Sequence, residues 1–211
     1  MLLQIPIAKL QRLAGRMGEH ETGRAYDALR AGWAWSIESR RAAWHAGQVL
    51  SNARCWPQTH LSGFFALTVY QAALTLWGYG FVCLPAHTPA PSIDNTESNS
   101  GQVQTRVRLD QPETAEARAF VNLGYGSPGI TSIPPPSPPY PNDLPTTATR
   151  TGEGFVSLQD LPGVMRVGAE ILRENYKGGE GARAEGKCLP PLVESLLGLM
   201  ERVGARRRPE R

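Results

Sequence analysis

The sequence predicts an all-α fold, an irregular helical bundle interrupted by a long Pro-rich disordered insertion. Three observations support this class. All five Trp lie between Trp33 and Trp77, where apolar residues recur at the three- and four-residue spacing of helices. Twelve of the 18 Pro lie between Pro85 and Pro145, where they exclude long helices and central strands. No stretch alternates apolar and polar residues well enough to predict a sheet.

Residues 1–84 are predicted to form the first part of the helical core. Prolines, glycines and Ser N-cap candidates divide this part into successive helices. The first helix is predicted to begin at Pro6 and to end at Gly18, and the second to run from Glu21 to a bend after Gly32. The third helix covers 40–54, with Ser36 or Ser39 as its N-cap and Pro57 as the boundary after it.

The segment 61–84 is apolar enough to allow two interpretations. It lies within a stretch, between Arg54 and Asp94, that contains no Asp, Glu, Lys or Arg, and it is long enough to span a bilayer. We favour a helix buried inside the bundle, because the amide of Gln71 is costly in lipid and Trp77 lies within the segment rather than at its edge. Gly78 and Gly80 are expected to end this helix early. A single membrane span over 61–84 is the alternative.

The second part of the core is predicted over 154–205. Asp160 is a candidate N-cap with Pro162 in the first turn, and the helix ends near Tyr176. Pro190 and Pro191 open a last helix, and 206–211 form a basic tail. The expected packing anchors of the whole core are Trp33, Trp44, Phe64, Phe65, Tyr70 and Trp77 from the first part and Leu192, Leu196, Leu199 and Val203 from the last helix.

Residues 85–153 are predicted to be a Pro/Ser/Thr-rich linker with a short ordered island near 109–130. Within the island, Glu113–Leu123 is expected to be a short helix with Ala117, Phe120, Val121 and Leu123 on its apolar side. The Pro-rich run 134–141 predicts a polyproline II spacer.

Composition excludes several classes of protein. Three scattered Cys cannot form a disulfide scaffold and fit reduced intracellular thiols. A net charge of +3 is too small to predict nucleic-acid binding by the bulk surface. The first residues lack the basic segment and apolar length of a secretory signal.

One literal G-x-G-x-x-G match occurs at 124–129. Dinucleotide binding requires a strand before this motif and a helix opening after it, so that helix amides meet the pyrophosphate. Here a short predicted helix precedes the motif, and Pro128 interrupts it. We interpret it as a Gly-rich turn and predict no cofactor.

Candidate metal ligands and nucleophiles do not cluster in the sequence. The nearest group is His45, Cys55 and His60, and Cys83 with His87 forms a second pair. None has the spacing of a zinc site, and no third group orients a Cys–His pair for catalysis. Glu38 is the only carboxylate residue in the sequence between Asp27 and Asp94, which argues against a two-carboxylate site there. We therefore predict no catalytic, cofactor-binding or metal-binding residues, and no enzymatic activity.

A set of segments in a fixed order resembles the C-terminal part of fungal zinc-finger transcription factors, at the end of their helical regulatory region, the fungal-specific transcription factor domain. The segments carrying the resemblance are 5–16 (IPIAKLQRLAGR), 42–50 (AAWHAGQVL), 66–80 (ALTVYQAALTLWGYG), 109–114 (LDQPET), 119–129 (AFVNLGYGSPG) and 189–200 (LPPLVESLLGLM). Each segment alone is weak, and the order makes the resemblance more specific.

The resemblance implies a regulatory or interaction module that acts in transcription regulation in the nucleus. In this family, zinc modules at the N-terminal side contact DNA, and this sequence contains no such module. The resemblance thus implies a fragment, or a relative that has lost its DNA-binding part. Zinc and DNA would act only through the missing module, and protein partners would bind an apolar helical surface.

Overall fold

A computed structural model describes residues 6–84, 105–132, 154–176 and 189–206. These residues are mostly helical, which confirms the predicted all-α class. The helices are α1 (Ile7–Leu13), α2 (Glu19–Gly32), α3 (Ile37–Arg54), α4 (Phe64–Cys83), α5 (Ala115–Leu123), α6 (Leu161–Tyr176) and α7 (Pro191–Gly204). The Pro-rich run 134–141 and most of the basic tail lie outside the described residues.

Side-chain caps fix two of the predicted helix starts. The backbone N–H of Ser39 donates to Oγ of Ser36 over 3.0 Å, so Ser36 is the N-cap of α3 and Ser39 lies inside the helix. The N–H of Gly163 donates to a carboxylate oxygen of Asp160 over 3.0 Å, which caps α6 as predicted. The predicted bend between α2 and α3 is confirmed at Trp35, whose φ is 68°.

Helix α4 forms the centre of the core. It packs against α1, α2, α3, α6 and α7, and Trp77 and Phe81 are among the largest buried side chains. Among the described residues, α4 is the single helix whose length and composition would allow it to cross a membrane. In its most apolar window, 78 % of the residues are buried inside the fold. This is the buried helix that we favoured for 61–84.

The prediction that Gly78 and Gly80 end α4 early is wrong, because the helix continues to Cys83. Both glycines serve close packing. A Cβ on Gly78 would overlap the side chain of Leu10, and one on Gly80 would overlap the carbonyl oxygen of Leu158. The missing side chains therefore allow α1 and the chain before α6 to approach α4.

A small sheet that the sequence did not predict joins the island to the second part of the core. Strand β2 (Ser127–Thr131) pairs in parallel with β1 (Arg106–Arg108) and antiparallel with β3 (Phe155–Ser157). The strands are only three to five residues long, which is too short for a period-two pattern to be recognised. The short helix predicted at Glu113–Leu123 exists as α5.

Seven of the ten predicted packing anchors are buried in the core or packed partly buried against it, and the other three, Phe64, Phe65 and Leu192, are exposed. Trp33, Tyr70 and Trp77 lie in the core, and Trp44 packs against it. Phe64 and Phe65, however, are 70 % and 44 % exposed. They lie in the first turn of α4, before the helix enters the core at Ala66.

One of the four predicted core residues of α7 is exposed in the structure. Leu196 and Val203 are buried as expected and Leu199 is partly buried, but Leu192 is 45 % exposed. On α5, Leu123 is likewise exposed instead of lying on the apolar side. The buried residues of α7 are Val193, Leu196, Leu197, Met200, Val203 and Gly204.

A buried ion pair attaches the island to α3. The carboxylate of Asp110, which is 1 % exposed, pairs with the guanidinium of Arg54. The same carboxylate accepts hydrogen bonds from the backbone N–H of Thr131 over 2.8 Å and from its hydroxyl over 3.2 Å. Arg54 also donates to the Thr131 carbonyl oxygen over 2.6 Å. One charged cluster thus connects α3, the turn after β1 and the end of β2.

Candidate functional site

Helix α3 carries a stripe of polar residues beside a row of small apolar residues. Polar residues recur along it at three- and four-residue spacing, which places them in one stripe. The stripe consists of Glu38, Arg41, His45, Gln48 and Asn52. Beside it runs a row of small apolar residues, Ala42, Ala46 and Val49, at the same periodicity.

Helix α4 faces this row with Thr68, Ala72 and Thr75, also spaced by four and three residues. Both hydroxyls are used within the helix: Thr68 donates to the Phe64 carbonyl oxygen over 2.9 Å, and Thr75 to that of Gln71 over 2.8 Å. Because both rows carry small side chains, a cavity of about 230 Å³ remains between the helices. We call this space, which Ile7 of α1 also lines, the narrow cavity.

Two half-buried polar side chains on its walls have no partner within the described part of the chain. They are the imidazole of His45 on α3 and the amide of Gln71 on α4. Gln48 differs, because its amide nitrogen donates to the carbonyl oxygens of Leu109 and Gln111, each over 2.8 Å. The narrow cavity is thus mainly apolar, with two uncommitted polar groups from opposite walls.

A second, wider cavity of about 710 Å³ continues the first towards the C-terminal end of α3. The two share the lining residues Val49, Asn52 and Thr68. Exposed aromatic rings line the wide cavity, and we call Trp56, Phe64 and Phe65 the aromatic patch. The Trp56 and Phe65 ring centroids are 4.2 Å apart, and those of Phe64 and Phe65 are 6.0 Å apart.

The candidate metal ligands that lie nearest to one another in the sequence line two different cavities. His45 lines the narrow cavity, whereas Cys55 and His60 line the wide one. Within the described ranges, no three His, Cys, Asp or Glu side chains are placed to hold a metal ion. Nδ1 of His60 lies 2.9 Å from the Gln58 carbonyl oxygen. His87 lies outside the described residues.

Cys83 is a buried thiol. It is 1 % exposed, and burial raises its pKa from 9.0 to about 11, with weaker opposing effects from hydrogen bonds to the Trp35 backbone and to Ser39. Burial likewise raises the pKa of the neighbouring Tyr79 phenol. A thiol that holds its proton so firmly is a poor nucleophile at neutral pH.

The G-x-G-x-x-G match has the opposite element order to a dinucleotide site. Gly124 ends α5 in the left-handed conformation, with φ of 80°, and Ser127 begins β2. A helix therefore precedes the glycines and a strand follows them. Gly126, with φ of 97°, completes the turn between the two.

The aromatic patch and the narrow cavity were missed by the reasoning from sequence. The signal for the narrow cavity was present in the two rows of small residues on α3 and α4. Comparisons with protein-family models, with curated proteins and with solved structures find no match for this chain.

Proposed function

We propose that this chain is a regulatory and interaction module of a fungal-type zinc-finger transcription factor. It acts in the nucleus by binding a protein partner and has no catalytic role. The order of the six resembling segments supports the family, and the mostly helical fold agrees with it. DNA is reached only indirectly, through a zinc module that this sequence does not contain.

The aromatic patch is the observation that carries the proposal. Phe64 and Phe65 expose large apolar rings side by side, and Trp56 packs against Phe65 at the mouth of the wide cavity. Grouped exposed aromatic side chains are typical of binding surfaces, where burial on association recovers their hydrophobic free energy. The wide cavity lies between the ends of two helices, a geometry that accepts the apolar face of a third helix. The proposed partner is therefore an amphipathic helix.

A reporter assay tests this function. The full chain is fused to an unrelated DNA-binding domain in a fungal host, and transcription from its operator is measured. The fusion should change transcription relative to the DNA-binding domain alone, and the double variant Phe64→Ser/Phe65→Ser should abolish the change. Because both rings are exposed, the free energy of unfolding should fall by no more than about 1 kcal/mol.

Leu123→Ser is the matched control, since Leu123 is 66 % exposed, close to the 70 % of Phe64, but lies at the end of α5, outside the patch. It should leave the reporter unchanged. A fusion without any effect on transcription, or a double variant as active as the parent, would contradict the proposal. The chain alone should also give no sequence-selective gel shift at physiological salt.

The alternative is a single-span membrane protein that uses 61–84. The length and apolar composition of α4 favour it, and the burial of α4 by five other helices argues against it. Alkaline carbonate extraction of cells separates the two proposals. A spanning helix stays in the membrane pellet, whereas a core helix leaves with the supernatant.

A further inference from the structure

We propose that the narrow cavity binds a small neutral heteroaromatic molecule, held by apolar walls and hydrogen-bonded to His45 and Gln71. This inference is independent of the proposed role in transcription and of the aromatic patch. It rests on the shape of the α3–α4 contact and on the hydrogen-bonding state of the groups that line it.

The walls favour a flat apolar ligand body. Ala42, Ala46 and Ala72 are buried at positions where larger side chains would fill the space between two packed helices. The hydroxyls of Thr68 and Thr75 are already committed to carbonyl oxygens of their own helix. Neither therefore demands a partner from the ligand, and the walls offer mainly van der Waals contact.

The polar edge of the ligand follows from the two uncommitted groups. The half-buried imidazole of His45 and amide of Gln71 are free to hydrogen-bond a ligand in place of water, because no described residue hydrogen-bonds to either side chain. An imidazole and a carboxamide can each donate or accept. The charged residues of the lining, Glu38 and Arg41, are exposed and of opposite sign. A neutral ligand with a ring N–H or carbonyl matches this arrangement better than an ion.

Cavity volume sets the size of the ligand. A protein cavity of about 150 Å³ holds benzene. By proportion, the 230 Å³ of the narrow cavity suits about nine or ten non-hydrogen atoms, the size of a bicyclic ring. Indole, a bicycle with one N–H donor, is therefore the probe, and naphthalene is its partner without a donor. Ligands this small are expected to bind with a dissociation constant on the order of 0.1–1 mM.

The experiment is titration of the full chain with each probe, followed by the NMR signals of the His45 imidazole, which a His45→Gln variant assigns. Indole should shift these signals saturably in the wild-type protein. Gln71→Leu should weaken indole binding about tenfold and leave naphthalene binding unchanged. Ala72→Leu, which fills the cavity, should abolish binding of both probes. Asn122→Leu, at an exposed position on α5, is the control and should bind like wild type.

Three results would overturn the proposal. One is the absence of a saturable shift at His45 up to the solubility limit of indole, which needs only the wild-type protein. Another is indole binding that persists in a folded Ala72→Leu variant, which would place the probe elsewhere. The third is equal affinity for indole in Gln71→Leu and wild type, which would remove the polar edge. If Ala72→Leu does not fold, the wild-type titration and the Gln71→Leu variant still decide.

Discussion

Replacing Asp110 with Ala should strongly destabilise the fold, because it removes the centre of the cluster that attaches the island to α3. The Asp110 carboxylate is buried, pairs with Arg54 and accepts two hydrogen bonds from Thr131. The substitution leaves the Arg54 guanidinium without its counter-charge and the Thr131 N–H without its acceptor. Both groups remain in the positions that the surrounding backbone fixes.

The magnitude follows from burial. Removing one partner of a fully buried ion pair costs about 3–5 kcal/mol, because the other charge stays desolvated and unpaired. The side chain of Arg54 is 21 % exposed and keeps its bond to the Thr131 carbonyl oxygen, so water and that oxygen recover part of the loss. We therefore expect a decrease of about 3 kcal/mol in the free energy of unfolding. Arg54→Met/Asp110→Leu should lose clearly less than the two single variants add up to.

Urea unfolding followed by Trp fluorescence measures this loss, since Trp33 and Trp77 are buried in the native core. Glu201→Ala is the control: it removes the exposed Arg173–Glu201 pair, whose atoms are 2.9 Å apart, and should cost at most about 1 kcal/mol. The reasoning is refuted if Asp110→Ala costs no more than Glu201→Ala. It is also refuted if the double variant equals the sum of its single variants.

Three further predictions concern glycines, thiols and pH. Gly80→Ala should lower the free energy of unfolding by about 2 kcal/mol or more, because the new Cβ would overlap the backbone carbonyl oxygen of Leu158. Gly23→Ala is the control: its Cβ would meet nothing within 4 Å, and it should raise the free energy of unfolding by about 0.5–1 kcal/mol. Equal urea midpoints for the two variants would count against this prediction. In a Cys188→Ser background at pH 8, a thiol reagent should modify exposed Cys55 in the native protein and buried Cys83 only after unfolding, as mass spectrometry will show. In alkali the unfolded Cys83 thiol ionises near pH 9, while the folded thiol keeps its proton up to a pH of about 11. Its contribution to stability is therefore intact below pH 9 and is lost as the pH rises through 11. The full loss, reached above pH 11, is about 3 kcal/mol. Cys83→Ala should lose less stability than wild type as the pH rises from 9 to above 11, and parallel losses would exclude Cys83 as the cause.

Local signals predicted the helices well. Ser36 and Asp160 cap their helices because a side-chain oxygen next to a free backbone N–H acts within three residues, without help from the rest of the fold. The burial of α4 also followed from local composition, since a helix that is apolar on all sides must be covered.

Tertiary contacts decided what local signals could not. Gly78 and Gly80 resemble helix breakers in sequence, yet neighbouring elements approach α4 where they lie, and packing outweighs their poor helix propensity. Helix α7 carries apolar residues over more than one face, so the sequence could not decide whether Leu192 or Val193 would be buried. The ion pair of Arg54 and Asp110 joins residues 56 positions apart, and no spacing rule predicts it.

The candidate site was predictable in part. The stripe that contains His45 and the row that contains Ala46 are both visible at helical spacing in the sequence. That α3 and α4 face each other with their small residues, and so leave the narrow cavity, depends on the rotation of each helix about its axis. The sequence does not specify that rotation.

The central position of α4 also sets the order in which the protein can fold during synthesis. Two of the helices that cover α4 are α6 and α7, and α6 begins roughly 80 residues after α4 ends. At about 5–20 residues per second, the ribosome presents α4 without this cover for roughly 4–16 s. During that time the nascent chain displays a segment with the length and apolarity of a membrane span. Chaperones that bind apolar nascent segments thus have several seconds in which to bind α4.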